Sequence, residues 1–123
     1  MFTIEEVGIM LDEIVDSLPH RVYSDLNGGV LLLPDTKIHP ESRNRDLFVL
    51  GEYHANWQMG KYIVFYFGSI NKVYGYLNKE QFKEKLTDIL WHELTHHLEF
   101  LAGERGLEIK DARDMELYRR QQK

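Results

Sequence analysis

Two histidines and a glutamate, His92, Glu93 and His96, lie close together in the sequence as an H-E-x-x-H motif. Residues four apart lie on the same face of an α-helix, so both imidazoles can point at one metal ion. The carboxylate beside the first histidine can then act as a base on water at that metal. We therefore predict a zinc site with His92 and His96 as ligands and Glu93 as the catalytic residue.

A long helix is predicted to carry this motif. Asn78 and Gln81 have the spacing of a capping box, which indicates a helix that starts at Lys79. No glycine or proline follows until Gly103, which is expected to cap the end of the helix. The predicted helix is about 24 residues long, which corresponds to about 36 Å.

The positions of the motif residues around this helix indicate which of them reach solvent. At about 100° per residue, His92 and His96 fall at the margin of the apolar face, and Glu93 falls further into it. Partial burial is expected to raise the pKa of Glu93. His97 falls in the middle of the apolar face. That direction favours a core histidine, hydrogen-bonded to a backbone or carboxylate partner, over a metal ligand.

The segments before the motif predict a single α+β domain spanning residues 1–123. Thr3 to Ser17 has the apolar spacing and the capping box of an amphipathic helix. Val30 to Leu33 is a short apolar run after a turn signal, and Lys61 to Phe67 is the strongest strand pattern in the chain. Between them, Asp35 to Asp46 is polar and is predicted to be a long connection, followed by a second short apolar run from Leu47 to Leu50.

Composition narrows the class of protein. The 123 residues are 43% hydrophobic and 28% charged, which is typical of a globular domain, and the net charge of −5 argues against nucleic-acid binding. The chain has no cysteine, so a transition-metal site has to use histidine, aspartate or glutamate. No signal peptide and no apolar run of about 20 residues is evident, so we expect a cytoplasmic protein without a membrane partner.

Three stretches give the chain a resemblance to the minimal zincin-like metallopeptidase family: Ser17 to Pro19, Ile63 to Ser69, and His92 to His97. The resemblance implies a minimal zincin-like fold with an N-terminal helix, a sheet of about three strands, the long H-E-x-x-H helix and a short C-terminal helix. It also implies that His92 and His96 hold zinc, that Glu93 is the catalytic carboxylate, and that the substrate is a peptide or protein.

The third metal ligand departs from the family pattern. Where family members have a glycine that turns the chain and an aspartate a few residues later, this chain has Glu99, and its first glycine is Gly103. Glu99 lies about 10 Å along the helix axis from His92, too far for one ion to hold both easily together with His96. Glu108 is the favoured candidate because the chain can return after its glycines. The other candidates are Asp111, Glu104, Glu99 and, upstream, His54 or Glu52.

The predicted function is therefore a zinc-dependent metallopeptidase or a related amide hydrolase. By analogy with zincins, the strand from Lys61 to Phe67 is expected to be the edge strand that aligns an extended substrate. Tyr66, His54 and Tyr76 are candidates for stabilising the oxyanion. A non-catalytic, zinc-stabilised peptide-binding module is the alternative, and a structural domain that binds no metal is a third possibility. The sequence predicts no oligomeric state.

Overall fold

The computed structural model describes residues 1–105 of the chain, with side chains through Gly103. Helix α1 (Ile4–Ser17) and a 3-10 turn (His20–Tyr23) come first. Five strands follow: β1 (Gly29–Leu33), β2 (Lys37–Ile38), β3 (Phe48–Val49), β4 (Gly51–Asn56) and β5 (Gly60–Tyr66). Helices α2 (Phe67–Tyr74) and α3 (Lys79–Arg105) complete the described part. The predicted α+β class is confirmed, and the predicted C-terminal helix lies outside the described residues.

The main sheet has three strands in the order β1-β5-β4, as the sequence predicted in number. Strand β5 runs parallel to β1 and antiparallel to β4, to which a tight turn at Trp57 joins it. Strands β2 and β3 form a separate antiparallel pair. This pair lies within the region from Asp35 to Leu50, so the predicted connection there includes a short strand.

The predicted edge strand is wrong. Strand β5 lies in the centre of the sheet and ends at Tyr66, because α2 begins at Phe67. The edge next to α3 is β4, which the sequence patterns did not predict. Ile63 and Phe65 are fully buried and Val64 nearly so, which fits a central strand that is covered on both faces.

Helices α1 and α3 cover one face of the sheet. The capping box at the start of α1 is present, with Thr3 and Glu6 each accepting a hydrogen bond from the other's backbone N–H. Apolar side chains of α1 meet those of α3 and β5 in one core, which includes Trp91. This packing fixes the height of α3 above the sheet and thereby places the motif residues.

Helix α3 starts as predicted but does not end as predicted. The backbone N–H groups of Gln81 and Asn78 donate to each other's side-chain oxygens at 2.9 and 3.3 Å, which completes the expected capping box. At the other end, α3 continues through Gly103 to Arg105, so Gly103 is not a cap. A glycine inside an exposed helix costs only about 1 kcal/mol, which is too little to end a helix of 27 residues.

Within the described residues, no helix has both the length and the apolar character that crossing a bilayer requires.

Candidate metal centre

The three motif residues converge at one point on α3. The ligand atoms of His92, Glu93 and His96 all lie within 4.8 Å of one another. The Nε2 atoms of the two histidines are 3.3 Å apart, and their rings stand nearly perpendicular at 89°. The predicted convergence of two imidazoles four residues apart is therefore confirmed.

Exposure differs sharply among the three residues. His92 and His96 are exposed, whereas Glu93 is only 6% exposed. Burial raises the pKa of Glu93 to about 7, and the nearby carboxylate of Glu52 adds to the shift. The expected margin position of the histidines and the expected rise in the pKa of Glu93 are both confirmed.

A glycine brings strand β4 close to this site. A Cβ atom at Gly51 would lie 2.9 Å from Cγ2 of Ile89, closer than real Cβ contacts, and 3.1 Å from the carbonyl oxygen of Val64, tighter than most of them. It would also lie 3.7 Å from Cγ of Glu93. The absence of a side chain at Gly51 therefore lets α3 pack directly on the first residue of β4. Sequence reasoning missed this role, although a glycine next to a strand pattern is a known sign of close backbone approach.

Glu52 is engaged by three donors beside the site. Lys37 Nζ donates to its two carboxylate oxygens at 2.8 and 2.7 Å, Tyr66 donates its hydroxyl, and His54 Nε2 lies 3.2 Å away. Partial burial alone raises the pKa of Glu52, but the hydrogen bonds from Lys37, Tyr66 and His54 outweigh it and hold that pKa below its usual value. The Glu52 carboxylate is therefore a structural anion beside Glu93.

The upstream candidates line the cleft without joining the ligand group. Glu52 and His54 lie on the wall of the cleft that contains the histidines, but the group formed by the described side chains consists of His92, Glu93 and His96. Of the oxyanion candidates, His54 lines the cleft, whereas Tyr66 gives its hydroxyl to Glu52. Tyr76 is 81% exposed and is not among the residues that line the cleft.

His97 is a core residue, as its direction on the helix predicted. It is fully buried; its Nε2 lies 2.7 Å from the carbonyl oxygen of Ser24, and its Nδ1 lies 2.7 Å from the hydroxyl of Tyr53. A carbonyl oxygen can only accept, so Nε2 carries a proton, and in the neutral imidazole Nδ1 then accepts from the hydroxyl of Tyr53. His97 thereby ties α3 to β4 and to the segment after α1.

The third ligand is only partly within the described structure. Glu99 lines the cleft but does not belong to the ligand group. Glu104 belongs to α3, so it does not follow the helix as expected. Its side chain lies outside the described part, as do Glu108 and Asp111 entirely. These three remain sequence predictions.

Two hollows meet at Glu93. The larger, about 660 Å³, lies between β4 and the C-terminal half of α3, and its wall includes Glu52, His54, His96 and Phe100. The smaller, about 330 Å³, lies between α3 and residues 48–50, which include β3. His92, Glu93 and Gly51 line both, so the two hollows are adjacent at these residues, whereas His96 lines only the larger one.

Comparisons with known proteins support the fold but indicate no activity. No protein-family model matches the chain, and no curated protein matches it. Among solved structures, a conserved hypothetical protein from Thermo thermophilus is similar, with a TM-score of 0.69 and 27% identity. The match covers 83% of this chain and 99% of the other. The chain is therefore similar over most of its length to a protein of the same small α+β architecture.

Proposed function

We propose that this protein is a zinc-dependent metallopeptidase or a related amide hydrolase with a minimal zincin-like fold. The observation that supports the proposal best is the convergence of two exposed imidazoles on a buried carboxylate at the junction of two hollows. The two imidazoles thus provide metal donors, Glu93 provides a base, and the two hollows give a substrate access to them. A pair of histidines that lay on the surface by chance would not need adjacent hollows.

The donor set fits zinc. Two imidazole nitrogens without a thiolate are typical of catalytic zinc sites, in which a carboxylate or a third histidine completes the protein ligands. His92 and His96 would hold the ion, and Glu108 remains our proposed third ligand, ahead of Asp111 and Glu104. When bound, zinc would supply Lewis acidity that polarises an amide carbonyl and lowers the pKa of water.

Residues of the chain would then supply the base, the alignment of the substrate and the stabilisation of the oxyanion. Glu93 would take a proton from the attacking water and deliver it to the leaving amine. Strand β4 replaces β5 as the proposed edge that aligns an extended substrate, because β4 has β5 on one side and borders the cleft on the other. His54, on the cleft wall, is the remaining oxyanion candidate.

The test compares wild-type protein with Glu93→Gln after zinc loading. Glutamine keeps the size of the side chain but cannot accept the proton, so zinc content should stay the same while peptide hydrolysis falls by about 10²- to 10⁴-fold. Metal content by elemental analysis and cleavage of a peptide mixture by mass spectrometry are the measurements. Glu84→Gln, an exposed change of the same kind on the same helix, is the matched control and should leave both unchanged.

Two results would contradict the proposal in different ways. Stoichiometric zinc without hydrolysis of any peptide by the wild type would reject the enzyme and retain the metal. If peptides also bound to that zinc-loaded protein, the non-catalytic peptide-binding module would be the better description. Failure of wild-type protein to bind zinc would reject both.

A further inference from the structure

The hairpin of β4 and β5 presents aromatic and basic side chains beside the cleft. Trp57, in the turn, is 92% exposed, and together with Lys61 and Phe100 it lines a hollow of about 390 Å³. We call this space, whose wall Ala55 and Asn56 complete, the distal hollow. An exposed tryptophan next to a cation offers a ligand both apolar contact area and charge.

The distal hollow adjoins the larger hollow of the candidate site. Phe100 lines both, and its ring centre lies 6.3 Å from that of Tyr53, which lines the larger one. Side chains alternate along a strand, so Ala55 points to the same side of β4 as Tyr53. The small side chain of Ala55 leaves room there that a longer one would fill. The two hollows therefore form one path along β4.

The length of this path sets a distance from the motif residues. Gly51 lies beside Glu93, and Ala55 lines the distal hollow four residues later. At about 3.3 Å per residue, the separation is about 13 Å, or about four residues of an extended peptide. The carbonyl oxygen of Leu50 accepts from the backbone N–H of Tyr66 at 2.9 Å. Because bonded pairs alternate in an antiparallel ladder, the backbone groups of Gly51 and Ala55 point away from β5, toward a peptide at that edge.

The turn of the hairpin is formed without a ligand. The carboxamide oxygen of Asn56 accepts from the backbone N–H groups of Gln58 and Met59 at 3.1 and 2.6 Å. Gly60 follows with a φ of +79°, the left-handed conformation that commonly ends a three-residue hairpin loop. These features hold Trp57 on a fixed backbone, which lowers the entropic cost of binding a partner.

The charge changes sign along the path. The larger hollow is lined by three glutamates, Glu52, Glu93 and Glu99. Among the described residues that line the distal hollow, the charged one is Lys61, whose ammonium lies 5.8 Å from the centre of the Phe100 ring. A peptide that lies along β4 therefore gains most from an acidic side chain at the distal end, where it faces a cation.

We propose that the distal hollow is an exosite that binds an aspartate or glutamate of an extended peptide, about four residues from the bond that is cleaved. Lys61 pairs with the carboxylate, and the ring of Trp57 covers the adjoining peptide. The inference rests on the proposed hydrolase function and adds a class of substrate to it: peptides that carry an acidic residue remote from the cleavage point.

The test is a cleavage profile of the zinc-loaded full chain with a mixture of N-acetylated, C-amidated dodecapeptides. Wild-type protein should favour aspartate or glutamate over asparagine or glutamine at one fixed position, by about two- to tenfold in kcat/KM, mainly through KM because the contact is remote from the reacting atoms. Lys61→Glu should reverse the preference toward lysine or arginine. Lys72→Glu, the same change on an exposed lysine of α2 that lines neither hollow, should keep the wild-type profile.

A second measurement separates this inference from the proposed function. Isothermal titration calorimetry gives dissociation constants of the same dodecapeptides on zinc-loaded Glu93→Gln, with and without Lys61→Glu or Trp57→Ala. Circular dichroism and a thermal melt establish that each variant is folded, and Lys61→Gln serves if Lys61→Glu is not. Tighter binding of acidic peptides that depends on Lys61 and weakens with added salt would support the exosite even if the wild type cleaved nothing. Trp57→Ala should weaken acidic and neutral peptides alike.

Three outcomes overturn the exosite. Cleavage by the wild type with no acidic preference, or the same preference in Lys61→Glu, would leave the hydrolase standing and remove the exosite. Equal binding of acidic and neutral dodecapeptides by a protein that cleaves none of them would remove both. Association with phosphatidylserine vesicles that Trp57→Ala abolishes, with no effect of that variant on peptide binding, would assign the hairpin to a membrane surface instead.

Discussion

His96 and His97 are neighbours in sequence with opposite environments. One is exposed in the cleft and the other is fully buried, and the difference follows from 100° of rotation about α3. That rotation can be read from the sequence, so the exposed position of His96, the candidate ligand, and the core position of His97 could both be predicted. The partners of His97 could not, because Ser24 and Tyr53 are brought to it by long-range packing.

Tyr53→Phe tests the bond that ties α3 to β4. Removing the hydroxyl leaves the buried Nδ1 of His97 without its donor, which should cost about 1–3 kcal/mol in the free energy of unfolding. Urea denaturation is the measurement. Tyr62→Phe removes a hydroxyl from the adjacent strand and should change stability by less than about 0.5 kcal/mol. Equal stability of both variants would show that the bond to His97 contributes nothing.

The elements divide into those that local patterns predict and those that pairing creates. The starts of α1 and α3 were predicted because a capping box is local chemistry. Strand β4 was missed because Gly51, Glu52 and Asn56 are poor strand formers, and pairing with β5 overrides their preference. The run of apolar residues in β5, which the fold buries on both faces, already indicated a central strand. The edge-strand prediction could therefore have been avoided from the sequence.

Asn78→Ala measures the contribution of the cap to α3. The variant removes the acceptor for the backbone N–H of Gln81 and should destabilise the protein by about 1 kcal/mol. Asn78→Asp keeps an acceptor oxygen and is the matched control, with an expected change of a few tenths of a kcal/mol. Thermal unfolding in parallel compares the two. If the alanine variant had the same melting temperature as the aspartate variant, packing alone would account for the start of α3.

At the scale of the whole molecule, the core and the candidate site share one helix. The packing of α3 against α1 and the sheet is the same packing that presents His92 and His96 to solvent. Composition and pattern predicted this single α+β unit. Sequence patterns did not decide between the candidates for the third ligand, because the favoured ones, Glu108 and Asp111, come after Arg105, where the periodicity of α3 gives no direction.

If the proposed zinc site exists, zinc should stabilise the entire fold, since its proposed ligands His92 and His96 converge only when α3 is formed. At free zinc about 100 times the dissociation constant, linkage predicts about 2.7 kcal/mol of added stability, or about 10 °C in Tm. Differential scanning calorimetry with and without zinc measures the shift. His96→Ala should abolish the shift, and Glu108→Gln should reduce it more than Asp111→Asn. A larger effect of Asp111→Asn would make that residue the third ligand.

The two tryptophans differ as widely in solvent exposure as two side chains can. Trp57 is 92% exposed in the turn between β4 and β5 and borders a small hollow with Phe100, whereas Trp91 is 1% exposed and directly precedes His92. Indole fluorescence from the unmodified chain therefore has a water-facing component near the mouth of the cleft and a core component beside the candidate metal centre. A dissolved collisional quencher reaches the first and is kept from the second, so occupancy of the cleft and loss of the core produce separate optical signals.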